Sequence, residues 1–160
     1  VRNYWFKREI SSEDFAHLLV SETNSQVNIE DIVYWIENPL KRAKLYDDVQ
    51  FSLERLSNNN FLHLVSDTSM VGRSIIDGFG IRSYFQKVAL SCEYGITKSE
   101  GLYEVFFKNT SIDLANTLVI GNSPTLDYEI PIKLGVKAIL IDREKKLEGY
   151  RIIHSLEEIE

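Results

Sequence analysis

The sequence predicts an α/β protein built on a mainly parallel sheet, preceded by a short helical segment. Three observations point to it. From Leu45 onward, short apolar runs alternate with helical patterns, as in successive βαβ units. The runs are continuous rather than alternating, as expected for strands covered on both faces. Before about residue 44 no convincing strand is written, only helical periodicity.

Ser11 or Ser12 is placed to cap a first helix carrying Phe15, Leu18 and Leu19. Ser21 to Gln26 is polar and reads as a loop. Asn28 is placed to cap a second helix with Ile29, Ile32, Val33 and Ile36 on one face, and Pro39 ends it. Val49, Leu53 and Leu56 mark a third helix, and Asn58-Asn59-Asn60 turns the chain. A strand is predicted over Phe61–Val65, closing at Ser66-Asp67-Thr68-Ser69. A helix through Ile75 and Ile76 follows, then a strand over Lys87–Leu90. A helix over Ser99–Lys108 leads to a strand over Thr117–Ile120. A helical pattern from Tyr128 to Leu134, a strand over Val136–Ile141 and a short one at Ile152-Ile153 complete the order. Residues 1–44 thus read as a helical cap segment and residues 45–160 as the core. The aromatic residues Tyr4, Trp5, Phe6, Tyr34 and Trp35 are expected to pack the cap helices.

The chain has 160 residues, enough for one domain that buries roughly two-thirds of its unfolded surface. A net charge of −6 argues against nucleic acid as a main partner, since phosphate backbones need a basic surface. Cys92 is the single cysteine, so no intrachain disulfide forms. That fits a cytoplasmic location, and Cys92 reads as a space-filling core residue. No apolar run approaches membrane-spanning length. His63 reads as a hydrogen-bonded core residue, while His17 and His154 have no acidic or cysteine neighbours at ligand spacing.

The chemistry concentrates in the βα loops. Ser66 follows the first strand, Lys98 follows the second, and Asn122 and Asp127 follow the third. Loops at the carboxyl ends of parallel strands share one edge of the sheet. A hydroxyl, an ammonium and a helix N-terminus there make a cradle for phosphate. Asn122 and Asp127 beside it offer oxygen atoms to a hard cation such as Mg²⁺. Taken singly, Ser66 is as readily a helix cap and Lys98 a solvated surface lysine.

The segments Phe61–Ser66, Thr97-Lys98 and Gly121–Asp127 together resemble the second, third and fourth motifs of the haloacid dehalogenase-like hydrolases. Leu45–Val49, Gly80–Phe85 and Ser91–Gly95 resemble the connecting text of that family, so the likeness runs from about Leu45 to Arg143. It implies a Rossmann-like core with helices on both faces, a small helical cap, and Mg²⁺-dependent phosphoryl transfer to an aspartate. Ser66 and Lys98 would be catalytic. Ser66, Asp67, Thr68 and Lys98 would bind phosphate, and Asn122 and Asp127 would hold the metal. The implied substrate is a small phosphorylated molecule, with neither nucleic acid nor membrane as partner; dehalogenation is the alternative reaction, and Ser66 and Lys98 do not decide between the two.

The sequence departs from the family at four places. The first motif, a strand ending Asp-x-Asp that carries the nucleophile, is not found in residues 1–44. Glu13-Asp14 and Glu30-Asp31 lie in helical patterns, and Asp47-Asp48 opens a helix. That strand is central in the family's sheet, so its absence predicts unpaired edges on both neighbours. With Val1 at the start, the reading is of a fragment whose 160 residues alone do not turn over phosphate esters. Asn122 replaces a common aspartate, Ser99 a common proline, and Asp67 a common asparagine that would leave the phosphate site less negative. The alternative is a non-catalytic member of the fold, kept as a binding or regulatory module.

Overall fold

The computed structural model describes residues 5–160. Two helices lie ahead of the core, α1 (Ser12–Thr23) and α2 (Ile29–Glu37). Each begins where a side chain satisfies a free helical N–H group. The Ser11 hydroxyl accepts from the Asp14 N–H at 3.0 Å, and Asn28 Oδ1 accepts from the Glu30 N–H at 2.9 Å. Asn38 and Pro39 close α2. Among the described residues before Leu45 there is no strand. Tyr4 lies outside the described residues. Trp5 packs on Phe15, but Tyr34 and Trp35 do not fill the helix contact as expected. They are about half exposed, with Lys41 and Arg42 over their rings.

The core follows as α3 (Val49–Ser57), β1 (His63–Ser66), α4 (Met70–Gly78), β2 (Lys87–Leu90), a short α5 (Ser91–Tyr94) and α6 (Leu102–Lys108). Then come β3 (Leu118–Gly121), a wide helical turn over Pro124–Glu129, α7 (Ile130–Lys133), β4 (Lys137–Ile141) and β5 (Ile152–Ile153). This is an α/β architecture with parallel strands. Ala89, Leu102 and Phe106 form a buried cluster with Val65, Ile96, Phe107 and Ile112 packed on it. Leu90, Val136, Ile139 and Leu140 are almost wholly enclosed. Cys92 is buried as expected, and burial pushes its thiol pKa up.

The strands form two ladders rather than one sheet. β1 pairs with β2 in parallel, Ser66 opposite Leu90. β3, β4 and β5 pair in parallel in that order. Among the described residues β1 has no partner beyond β2, and β3 none beyond β4. Each therefore keeps one edge without ladder hydrogen bonds among the described residues.

Several boundaries differ from the sequence reading. β1 starts at His63, not Phe61, because its ladder begins opposite Lys87; Phe61 is 79% exposed. β3 and β4 likewise start one residue later than expected. The predicted helix over Ser99–Lys108 is cut at Gly101, whose φ of +107° lies outside helical space. His63 is not hydrogen-bonded as expected. Its Nδ1 is buried without a partner, and its ring meets the Phe106 ring edge-on at 5.6 Å. Burial, helped by the nearby Lys87 charge, holds its pKa down.

Candidate functional site

The loops after β1, β2 and β3 meet at Lys98. Its backbone N–H donates to Asp67 Oδ1 at 2.7 Å, just beyond β1. Its Nζ reaches Asp127 Oδ1 at 2.6 Å, just beyond β3. Lys98 stands on a single helical turn, Lys98–Glu100, fixed from both sides. The Thr97 N–H donates to Glu100 Oε2 at 3.0 Å, and the Thr97 hydroxyl to the same oxygen at 2.9 Å. Lys7 pairs with Glu100 from the other side, and that bond, with those from Thr97, brings the Glu100 carboxyl down to about 2.

Ser66 holds the last ladder position of β1, opposite Leu90. Asp67 is half-buried; desolvation raises its carboxyl pKa despite the Lys98 N–H. Its Oδ1 thus fastens the lysine turn rather than facing outward. The Thr68 N–H is taken by the buried Ser91, whose Oγ accepts at 2.9 Å and donates to the Thr68 carbonyl at 3.1 Å. Ser91 therefore fixes the loop through which Ser66 passes into α4, a part that sequence reading did not assign. α4 starts at Ser69 with no side-chain cap, so its first N–H groups keep their capacity for an anion.

Asp127 is 5% exposed and lies on the wide turn after β3. Gly121 lets it lie against the strand end: a Cβ there would stand 2.4 Å from Asp127 Cγ. Oδ2 accepts the Asn122 N–H at 3.1 Å and the Ser123 N–H at 3.0 Å. Oδ1 accepts Lys98 Nζ and, at 3.1 Å, the Tyr103 hydroxyl. Sequence reading missed Tyr103. It is 3% exposed on α6, and only its place one helical turn beyond Lys98 hinted at it. Burial, with the Asp127 charge and hydrogen bond, pushes its phenol pKa far above the ordinary range.

As it stands, the Asp127 carboxylate offers Mg²⁺ no free lone pair. A carboxylate offers about four lone-pair sites, and four donors already fill them. Asn122 meets Asp127 through its backbone N–H, a bond that leaves its side-chain oxygen unengaged. No group of three or more His, Cys, Asp or Glu suited to a metal occurs among the described residues.

Two clefts lie elsewhere. One of about 310 Å³ runs between the first two helices and α4, lined by Trp5, Ile10, Ser12, Ile36, Met70 and Ser74. The other, of about 530 Å³, lies on α1 and α2 alone. Among the described residues no helix is long and apolar enough to cross a membrane.

No protein-family model matches the sequence, and no curated protein matches it. Solved structures do. A HAD phosphatase from Thermococcus onnurineus is 18% identical, with a TM-score of 0.70 over 89% of this chain and 67% of that one. The HAD family enzyme bt-2542 from Bacteroides thetaiotaomicron, solved with magnesium and inorganic phosphate, is 18% identical. It superposes with a TM-score of 0.67 over 90% of this chain and 76% of its own. A 2-haloacid dehalogenase from Pseudomonas syringae is 14% identical, with a TM-score of 0.62 over 91% and 76%. At these identities the likeness is one of architecture, and this chain has the α/β fold of the haloacid dehalogenase-like hydrolases.

Proposed function

We propose that this chain is the greater part of a haloacid dehalogenase-like hydrolase acting on a small phosphorylated molecule. The observations that support the proposal are the edge that β1 and β3 each leave without a ladder partner among the described residues, and the loops after both strands, which reach Lys98. A parallel strand laid there would pair with both edges. An aspartate at its carboxyl end would then lie beside the Lys98 ammonium and the start of α4.

In that arrangement the aspartate attacks phosphorus and the ester alcohol leaves. Water then releases phosphate from the aspartyl-phosphate. Lys98 offsets charge on the transferring group, the largest demand in phosphoryl transfer. The Ser66 hydroxyl and the first N–H groups of α4 donate to phosphoryl oxygens. Asp67 and Thr68 hold the loop that presents them. The 310 Å³ cleft beside Met70 suits the organic part of the substrate. Magnesium is present in the bt-2542 complex, but Asp127 here offers it no free lone pair and no step is assigned to it. The lone buried thiol suits a cytoplasmic protein.

A non-catalytic binding module is the second reading, favoured by the fully occupied Asp127 carboxylate. The test compares residues 1–160 with the same chain extended by an N-terminal apolar strand ending Asp-x-Asp. Both are assayed on an aryl phosphate, with and without Mg²⁺. Turnover by the extended chain alone is expected, and Lys98→Ala in it should lower the rate at least about a hundredfold. Turnover by residues 1–160 would place the nucleophile within them. Silence of the extended chain across a broad phosphate panel would favour the binding module.

A further inference from the structure

We propose that in this chain Asp127 is an anchoring anion rather than a cation ligand, and that Tyr103 is the residue that makes it so. The carboxylate joins the two ladders. On one side it takes two N–H groups from the turn after β3, and on the other the lysine that is hydrogen-bonded to the loop after β1. Tyr103 supplies the fourth donor, from α6. Without it, Oδ1 would keep one lone pair free beside Lys98.

Several contacts hold Tyr103 in that role. α6 packs on β1 through Phe106, whose ring meets His63. The Tyr103 ring stacks on Phe107 at 5.8 Å, and Lys98 Nζ lies 5.4 Å from its centroid. The hydroxyl is buried and directed at Asp127, to which it donates at 3.1 Å. A dication would have to displace this hydroxyl or the Lys98 ammonium. It would also stand next to that positive charge, which at this depth is poorly screened.

Mn²⁺ is the probe, because its free-ion spin-resonance signal disappears on binding and it shares the oxygen preference of Mg²⁺. Residues 1–160 should leave Mn²⁺ free up to about 1 mM. Tyr103→Phe keeps the ring and frees one lone pair; it should bind Mn²⁺ at least about tenfold more tightly. Adding Asp127→Asn should abolish that gain. Lys98→Met frees the same oxygen by another route and should also gain binding, which keeps the test open if Tyr103→Phe does not fold. Binding by the unaltered chain that Asp127→Asn removes would overturn the proposal. So would folded Tyr103→Phe and Lys98→Met variants that gain nothing. The proposal concerns the same site as the proposed hydrolase but is read from cation binding alone, so the two fail separately.

Discussion

Asp48 shows how a single residue fastens distant parts of the chain. It opens α3, yet it is bound by the end of the sheet. Arg143 Nη2 lies 3.0 Å from both its oxygens, donating to Oδ2. Oδ2 also accepts the Ser155 hydroxyl at 2.9 Å and the Leu156 N–H at 2.7 Å. Burial alone would raise this carboxyl; Arg143, Leu156 and Ser155 outweigh it and hold the pKa below its usual 3.8. A carboxyl lowered on folding stabilises above its unfolded pKa and loses that contribution as pH falls toward the folded one. Denaturation followed from pH 7 downward should therefore be level until about pH 4 and then weaken. Asp48→Asn should cost about 2 to 3 kcal/mol at pH 7 by leaving Arg143 unpaired, and its acid limb should be shallower. Parallel limbs would assign the acid loss to other carboxylates. Gly121→Ala should cost about 1 to 3 kcal/mol in urea melts, because the new methyl meets Asp127; an unchanged midpoint would mean that the carboxylate moves freely. Lys98 and Asp127 were legible in the sequence because each lies in a loop after an apolar run, in an order that resembles a known family. Tyr103 and Ser91 were not, since an aromatic in a helix and a serine after a strand look like ordinary packing and capping.

At the scale of elements, the sequence displayed the order of helices and strands well and their limits less well. Helix starts were readable because the capping atom is local, as at Ser11 and Asn28. Strand limits were not, because a ladder ends where its partner ends. Phe61 is apolar enough for a strand, yet β2 offers it nothing opposite. The division of the sheet into two ladders is written in no single residue of the chain. β4 has partners on both sides, whereas β1 and β3 have one each. Amide exchange should therefore be slowest in β4 and clearly faster in β1 and β3. Equal protection in all three would show that the open edges are covered.

As a whole molecule, the core is two parallel ladders held at their carboxyl ends by the Lys98–Asp127 pair and by α6. Such a joint is small compared with a shared ladder. The extended chain of the activity test should therefore melt at a higher temperature than residues 1–160, in a sharper calorimetric transition. An unchanged transition would mean that the added strand does not enter the sheet, whatever its activity.

The unpaired edges of β1 and β3 also bear on how copies of this chain meet one another. A row of unmet N–H and C=O groups recruits any extended backbone, including that of a neighbour. A general defence in the composition is mutual repulsion from a net charge of −6. Ionic screening shortens the reach of that repulsion to about 8 Å at physiological strength. Colloidal stability in this protein is thus tied to salt: the same open edges that stay apart in dilute buffer become adhesive as the medium grows saltier.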